Sequence, residues 1–144
     1  MIKFITGDDV LPIRNEVLRE GRLTLDECRF PSDTVAGIFH LGYYVNDKLA
    51  CVASFHPQSY DEFTGTGYQL RGMATVEAHR GQGLGNQLLN FAIVYLRGQK
   101  ANYMWCNARK KAIPFYFNVG FEIVSPEFEV PGIGPHHAMY VKIQ

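Results

Sequence analysis

The chain has 144 residues, of which 47% are hydrophobic and 19% are charged, a composition typical of a globular protein with one core. Fourteen Lys and Arg residues balance fourteen Asp and Glu residues, so neither nucleic acid nor an anionic membrane is an expected partner. The sequence contains no apolar run near the roughly 20 residues that a membrane-spanning helix needs. Its first residues do not resemble a signal peptide, so we expect a cytoplasmic protein.

The three cysteines, Cys28, Cys51 and Cys106, are odd in number and widely spaced. This pattern favours buried free thiols over a disulfide framework or a zinc site, and we expect no metal. The sequence has no internal repeat, low-complexity tract or linker. We therefore expect residues 1–144 to form a single domain.

The first part of the chain predicts a strand, a helix and a hairpin. "KFIT" is a short strand, and a helix capped by Asp8 or Asp9 follows it to about Arg19. On this helix Arg14 is expected to face solvent. "RLTLDECRFPSDT" is irregular or partly helical, and "GIFHLGYYV" and "LACVASFH" form an antiparallel hairpin around "NDK".

The second part predicts strands that alternate with helices. "YQLRGMATV" is a strand, and the amphipathic "LGNQLLNFAIVYLRG" is a helix. "NYMWCN" is the next strand, and "KKAIPFYFNVG" is a short helix that ends at Gly120. The strands "FEIVS" and "HHAMYVKI" finish the chain, with the proline- and glycine-rich "PEFEVPGIGP" between them. The order β-α-β-β-β-α-β-α-β-β predicts a mixed α/β fold.

Three glycines, Gly81, Gly83 and Gly85, stand at the start of the long predicted helix. A helix start exposes unpaired N–H groups, and glycines remove the side chains that would keep an anion away from them. A dinucleotide-binding loop would need its third glycine at Asn86, and a P-loop would end in Gly-Lys-Ser or Gly-Lys-Thr. The loop fits neither pattern. It therefore binds another phosphate-bearing ligand or, alternatively, serves only packing.

The remaining pattern combines Arg80, Gly83 and Gly85 with the downstream stretch "CNARKKAIPFYFNVGF". With these two motifs the sequence resembles the GNAT family of N-acetyltransferases. The resemblance implies a mixed, mostly antiparallel central sheet flanked by helices. It also implies that the glycine loop binds the pyrophosphate of acetyl-CoA, the acyl donor, and that the strand "GMATV" binds the pantetheine arm through its backbone.

Carried over to this sequence, the resemblance implies that Tyr116 is the general acid that protonates the departing thiolate. A free tyrosine has a pKa near about 10, so its hydroxyl keeps its proton at neutral pH. A tyrosine that only packs in the core is the alternative. The implied cofactor contacts are Met73, Ala74, Thr75, Arg80, Gly81, Gln82, Gly83, Leu84, Gly85, Asn86 and Asn107.

The sequence alone assigns neither the general base nor the role of Arg71. The candidate bases are a water molecule or one of the side chains of His40, His56, His136, His137 and Glu77. Arg71 lies in an otherwise apolar or small strand pattern, where an unpaired charge is unfavourable. It either pairs with Asp26, Glu27 or Asp33, which we favour, or holds an anionic acceptor.

The expected activity is acetyl transfer from acetyl-CoA to the primary amine of a small molecule, by direct attack within a ternary complex. A non-catalytic module that binds or senses acyl-CoA is the first alternative, and a nucleotide-dependent enzyme is the second. By analogy with such folds, whose exposed final strands often pair between subunits, a homodimer is the expected assembly.

Overall fold

The structure is a computed structural model that describes residues 1–144. Eight strands and three α-helices form in the order that the sequence predicts, with one additional strand. The strands are β1 Ile2–Ile5, β2 Phe39–Val45, β3 Lys48–Pro57, β4 Gly67–Thr75, β5 Tyr103–Arg109, β6 Glu122–Ile123, β7 Phe128–Val130 and β8 Gly134–Lys142. The α-helices are α1 Leu11–Ile13, α2 Leu84–Gly98 and α3 Ile113–Val119, and a π-helical segment, Arg14–Leu18, continues α1. Single 3-10 turns cover Asp26–Cys28, Pro31–Thr34, Glu77–His79 and Lys110–Ala112.

The strands are hydrogen-bonded in the order β1-β2-β3-β4-β5-β8-β6, and β7 pairs with β8. β4 and β5 run parallel, whereas the pairs β1–β2, β2–β3, β5–β8, β6–β8 and β7–β8 are antiparallel. The predicted mixed α/β fold with a mostly antiparallel sheet is therefore confirmed. No helix has the length and apolar character required to cross a membrane.

The chain divides into two compact units, each made of two segments. Unit 1 comprises Met1–Pro57 and Leu70–Phe91, and unit 2 comprises Gln58–Gln69 and Ala92–Gln144. The chain passes from one unit to the other three times, at the end of β3 after Pro57, within β4 and within α2. That residues 1–144 form a single folding domain stays a prediction.

Unit 1 contains the predicted hairpin and the first helical segment. β2 and β3 join through a two-residue turn, in which Asn46 and Asp47 both have positive φ (50° and 64°), as the right-handed twist of a tight hairpin requires. The predicted aspartate cap is wrong. Thr6 and Asp9 instead bond to each other's backbone N–H, and the helix begins after Val10 without a side-chain cap.

Unit 2 contains β5, β8 and α3. Phe128–Val130, which the sequence analysis assigned to a connection, forms strand β7 against β8. The prolines and glycines on both sides of this short segment are typical of loops, so the sequence did not predict a strand here. The predicted end of α3 at Gly120 is confirmed: Gly120 has a φ of 113° and donates to the carbonyl groups of Tyr116 and Phe117.

Candidate functional site

The glycine loop in unit 1 has the backbone conformation that its sequence requires. After β4 and a 3-10 turn, Gly81 and Gly83 adopt φ values of 76° and 79°, which other residues rarely adopt. A Cβ atom at either position would meet no atom within 4 Å. These glycines are therefore required by the path of the loop rather than by crowding from neighbouring side chains.

The N-terminus of α2 presents free N–H groups directly after this loop. The first helical hydrogen bond runs from the Gln87 N–H to the Gly83 carbonyl at 3.0 Å, so the N–H groups of Leu84, Gly85 and Asn86 precede the helical ladder. Leu84 is buried and anchors the turn, whereas Gly81 to Gly83 are exposed. Because α2 is 15 residues long, its dipole also favours an anion at this end.

Several side chains fix the approach to the loop. His79 Nδ1 lies 3.0 Å from Gln82 Oε1, and Arg80 is exposed with its Nε 3.5 Å from the Thr75 carbonyl oxygen. The loop therefore holds one positive side chain beside unpaired backbone N–H groups, and this arrangement suits a diphosphate.

The strand segment Met73–Thr75 lies at the end of β4, within unit 1. Ala74 is buried, while Met73 and Thr75 are half-buried. Thr75 Oγ1 donates to Cys51 Sγ at 3.2 Å, and burial raises the pKa of the Cys51 thiol to about 11 despite this bond. The side chains of this segment therefore pack within unit 1 and are not needed for a ligand that binds through the backbone.

Gly72, which precedes this segment, has a φ of 66°, and a Cβ atom there would lie 2.9 Å from Arg14 Nε and 3.3 Å from the Phe30 ring. Neither neighbour was predicted from the sequence. Glycine at this position is therefore explained by the approach of two side chains of unit 1.

In unit 2, the predicted residues Asn107 and Tyr116 lie in β5 and α3 respectively. Asn107 is exposed on β5, where it stands opposite Ala138 of β8. Tyr116 is 8% exposed, and its ring contacts Phe115 and Phe121 with centroid distances of 5.0 and 5.3 Å. The side chain of Tyr116 therefore packs as a core tyrosine does, and a donor role for its hydroxyl is a separate question.

The Tyr116 hydroxyl lies near the buried Cys106, and this proximity was not predicted from the sequence. Burial raises the pKa of Tyr116 well above its ordinary value, and Cys106 raises it further, while Arg109 opposes the shift. Burial also raises the pKa of the Cys106 thiol. Both groups therefore keep their protons at neutral pH.

Arg14 is buried, so the prediction that it faces solvent is wrong. Its guanidinium group is 2% exposed and binds both carboxylate oxygens of Asp33, at 2.7 and 2.9 Å. It also donates to the Cys28 carbonyl at 3.0 Å and to Ser54 Oγ at 2.8 Å. Paired and hydrogen-bonded in this way, the charge is tolerated in the core of unit 1.

Arg71 does not make the ion pair that we favoured. Asp33 is bound by Arg14, and Asp26 is bound by the exposed Arg29. The Arg71 guanidinium carbon instead lies 4.0 Å from the centroid of the Phe30 ring, and the side chain takes part in no ion pair. Burial lowers the pKa of Arg71, and the charge of Arg14 lowers it further, while the charge of Asp33 opposes the shift.

The candidate bases differ in the contacts that their side chains make. His40 Nδ1 lies 2.6 Å from Ser54 Oγ and its Nε2 lies 3.3 Å from the Asp33 carbonyl oxygen, so both nitrogens belong to the buried network of unit 1. Two histidines of β8 each have Nδ1 near a backbone carbonyl, that of Gly134 for His136 and that of Ser125 for His137. Glu77 is exposed. These contacts give each of the three histidines a structural role.

His56 stands apart from the other histidines. Its side chain is 3% exposed, yet both ring nitrogens lack a hydrogen-bond partner. Burial, followed by the charge of Arg71, lowers the pKa of His56 to about 4. The imidazole is therefore neutral at physiological pH, with one N–H donor and one acceptor nitrogen unused.

No group of three or more His, Cys, Asp or Glu side chains is arranged to hold a metal ion. The three cysteines are free and buried, as expected.

Comparison with known proteins identifies the family. A model of the acetyltransferase (GNAT) domain matches residues 35–143. The chain belongs to the GNAT acetyltransferase family. A Bacillus subtilis (strain 168) protein described as an uncharacterized N-acetyltransferase, YitI, is 36% identical over 140 residues, which cover 96% of this chain and 93% of YitI. This GNAT chain is therefore an N-acetyltransferase.

Solved GNAT structures share its fold. An aminoglycoside 6'-N-acetyltransferase complexed with coenzyme A superimposes with a TM-score of 0.73 at 14% identity, over 100% of this chain and 97% of that one. An acyl-CoA N-acyltransferase from Pseudomonas aeruginosa gives a TM-score of 0.73 at 21% identity, over 97% and 96% of the two chains. At 14% and 21% sequence identity, the similarity to these two structures shows a shared fold only.

Proposed function

We propose that this GNAT protein transfers an acetyl group from acetyl-CoA to the primary amine of a small molecule, by direct attack in a ternary complex. The binding of acetyl-CoA is supported by the N-terminus of α2, where unpaired N–H groups follow two glycines with positive φ. Phosphate groups bind at such helix starts because the N–H groups and the dipole act together.

In this proposal the N–H groups from Arg80 to Asn86 bind the pyrophosphate, with Arg80 as a positively charged side chain beside them. The backbone of Met73, Ala74 and Thr75 binds the pantetheine arm in the manner of an added strand. Asn107, exposed on β5, is proposed as a further cofactor contact.

The chemical step has two proton requirements, because the amine must lose protons and the thiolate must gain one. The neutral amine nitrogen attacks the thioester carbonyl, and the carbon–sulfur bond breaks when the tetrahedral intermediate collapses. Tyr116 then donates its proton to the sulfur. The Tyr116 hydroxyl carries its proton at neutral pH, as a general acid must, but its raised pKa makes it a weaker acid. The support for this role is therefore the match of Tyr116 to the family motif and not its pKa. We assign no side chain as the base and propose that water accepts the proton of the amine.

The size of the acceptor, the location of the protein and its assembly complete the proposal. The balanced charge of the chain favours a small acceptor over an acidic or basic polymer. The three free thiols agree with a cytoplasmic location. Homodimer assembly stays a prediction from analogy, and sedimentation of the purified protein tests it.

Two measurements test the function. Calorimetry with acetyl-CoA, NAD and ATP should show binding of acetyl-CoA alone, and a thiol reagent should then detect CoA release with a panel of amines. The protein's own cysteines are buried, so their contribution to the thiol signal should be small. Tight binding of acetyl-CoA without turnover on any amine would support a sensing module instead, and preference for NAD or ATP would support a nucleotide-dependent enzyme.

A further inference from the structure

A half-buried positive charge in unit 1 lacks a counter-ion. Two guanidinium groups, those of Arg14 and Arg71, lie 3.8 and 4.0 Å from the centroid of the Phe30 ring. One buried carboxylate, that of Asp33, lies beside them, and Arg14 binds both of its oxygens. The Phe30 N–H donates to Asp33 as well, at 2.9 Å. The carboxylate therefore pairs with Arg14. Its charge also attracts Arg71, but Arg71 has no ion-pair partner of its own.

His56 adds unused hydrogen-bonding capacity at the same place. Its ring lies 6.2 Å from that of Phe30, and it is close enough to Arg71 for that charge to be the second cause of its lowered pKa. Its Nε2 lies 4.0 Å from Asp33 Oδ1, beyond hydrogen-bonding distance. A buried polar group without a partner is costly. A ligand with an acceptor oxygen would satisfy the ring N–H, which is one of the two unused groups.

We propose that Arg71 and His56 form a binding site for a carboxylate group on the acceptor, so that the substrate of this enzyme is an amine that also carries one carboxylate. The guanidinium fork matches the two oxygens of a carboxylate, and the neutral imidazole supplies one further N–H donor. A monoanion fits because the cluster of Arg14, Asp33 and Arg71 carries one net positive charge.

The position of Arg71 on β4 links this site to the transfer reaction, and in this respect the inference rests on the proposed function. Arg71 lies two residues before Met73, the first residue of the segment proposed to bind the pantetheine arm. Gly72, which lies between them, has a φ of 66° and is not extended, so the two positions are no further apart than the roughly 7 Å that two residues of extended strand span. A small amino acid has its amine and carboxylate within that range.

Matched pairs of acceptors test the inference. Each pair consists of an amino acid and its carboxamide, compared by kcat/KM for CoA release at equal concentrations of the free amine. The carboxylate member should be preferred, and Arg71→Gln should lower its kcat/KM about tenfold to hundredfold, the range for losing a charge-assisted bond. The preference should thereby collapse. Arg22→Gln, which changes an exposed arginine of the same unit, should keep the preference, and Arg71→Lys should restore part of it.

A binding measurement without acetyl-CoA gives an independent readout. The ring C–H signals of His56 should shift when an amino acid is added to the wild type but not to Arg71→Gln. The bound carboxylate should also raise the pKa of His56 from about 4. Charged and titratable groups that act on His56 are Arg71 on β4, His40 on β2, and Arg14 and Asp33. The carboxamides, which lack the charge, should leave the signals unchanged.

The two proposals can fail separately. Suppose that neutral and carboxylate-bearing amines have equal kcat/KM values with the wild type and also with Arg71→Gln. The carboxylate site is then wrong, and the acetyltransferase proposal stands. If no amine is acetylated but amino acids shift the His56 signals in an Arg71-dependent way, the site is supported and the proposed reaction is wrong. Stronger binding of phosphate-bearing amines than of amino acids would overturn the choice of a carboxylate.

Discussion

Tyr116 is the residue for which packing and catalysis predict different experimental outcomes. A phenylalanine would keep the ring contacts with Phe115 and Phe121 and would remove only the hydroxyl. If Tyr116 protonates the leaving sulfur, Tyr116→Phe should lower kcat about 10²-fold, because general acid catalysis contributes about 10²–10⁴-fold. The affinity for CoA should stay nearly the same. Steady-state kinetics and calorimetry measure the two quantities.

A suitable control is Tyr103→Phe, which removes another largely buried hydroxyl from unit 2. The Tyr103 hydroxyl accepts from the Tyr60 N–H at 2.7 Å, so its loss should reduce stability by about 1 kcal/mol and leave kcat unchanged. Wild-type turnover in Tyr116→Phe would remove the proposed proton donor and leave Tyr116 as a core residue.

The Arg14–Asp33 pair should make the stability of the protein depend on pH. Burial alone would raise the pKa of Asp33, but the bonds from Arg14 and the Phe30 N–H outweigh it and lower the pKa below its ordinary value. Such a carboxylate contributes its full stabilisation above the unfolded pKa of about 3.9. The contribution should be lost as the pH falls from about 4 through the lower folded pKa. Urea unfolding at several pH values measures this loss.

Asp33→Asn should lower the free energy of unfolding by about 3–5 kcal/mol, since it leaves Arg14 buried without its counter-ion. It should also flatten the acid side of the stability profile. Asp26→Asn is the control, because Asp26 pairs with Arg29 on the surface and such pairs contribute about 0–1 kcal/mol. Equal effects of the two substitutions would show that Arg14 does not depend on Asp33.

At the scale of elements, the glycine loop gives a prediction that separates backbone strain from ligand binding. Gly83→Ala places a Cβ atom where no neighbour lies within 4 Å, at a φ of 79°. The folded protein should lose about 1–2 kcal/mol, the cost of a left-handed conformation for a residue other than glycine. If the loop binds the pyrophosphate, the Kd for CoA should also rise about tenfold or more, because the loop would relax away from its binding conformation.

Gly132→Ala is a closely matched control. Gly132 has a φ of 78° and equally open surroundings, but it lies in the turn between β7 and β8. The two variants should lose similar stability, measured by urea unfolding, and only Gly83→Ala should weaken CoA binding. Equal CoA affinities in both variants would place the pyrophosphate elsewhere.

The elements that the sequence predicted correctly are those fixed by local patterns. Alternating β-branched and aromatic residues identify β2 and β3, and apolar residues at helical spacing identify α2. β7 was missed because three residues between prolines and glycines carry no periodicity of their own, and β8 supplies the pairing that makes them a strand.

The partners of the two arginines could not be predicted for a related reason. Arg14 and Asp33 are 19 residues apart, and Arg14 lies on a helical segment whose pattern allows an exposed arginine equally well. The packing of that segment against β3, where Arg14 donates to Ser54, determines that Asp33 pairs with Arg14 and not with Arg71. The sequence thus identified Arg71 as an unusual charge, but of the three acidic partners that it offered, Asp26, Glu27 and Asp33, the last pairs with Arg14 instead.

At the scale of the whole molecule, we expect the two units to unfold together as one domain. Two of their three boundaries lie within β4 and α2, and a helix or strand loses the hydrogen bonds on both sides when it opens in the middle. Trp105 reports on unit 2 by fluorescence, and pulsed labelling of Cys28 and Cys51, which are buried in unit 1, reports on unit 1. Both probes should give the same urea midpoint and the same m-value.

Cys106, the buried cysteine of unit 2, is the internal control for the labelling, since its reactivity should follow Trp105 whether or not the units are coupled. Ligand linkage extends the test. Acetyl-CoA at 100 times its Kd should stabilise the protein by about 2.7 kcal/mol, and in one domain the midpoints of all probes should move together. A separate, earlier transition of Cys28 and Cys51 would show instead that residues 1–144 form two folding units.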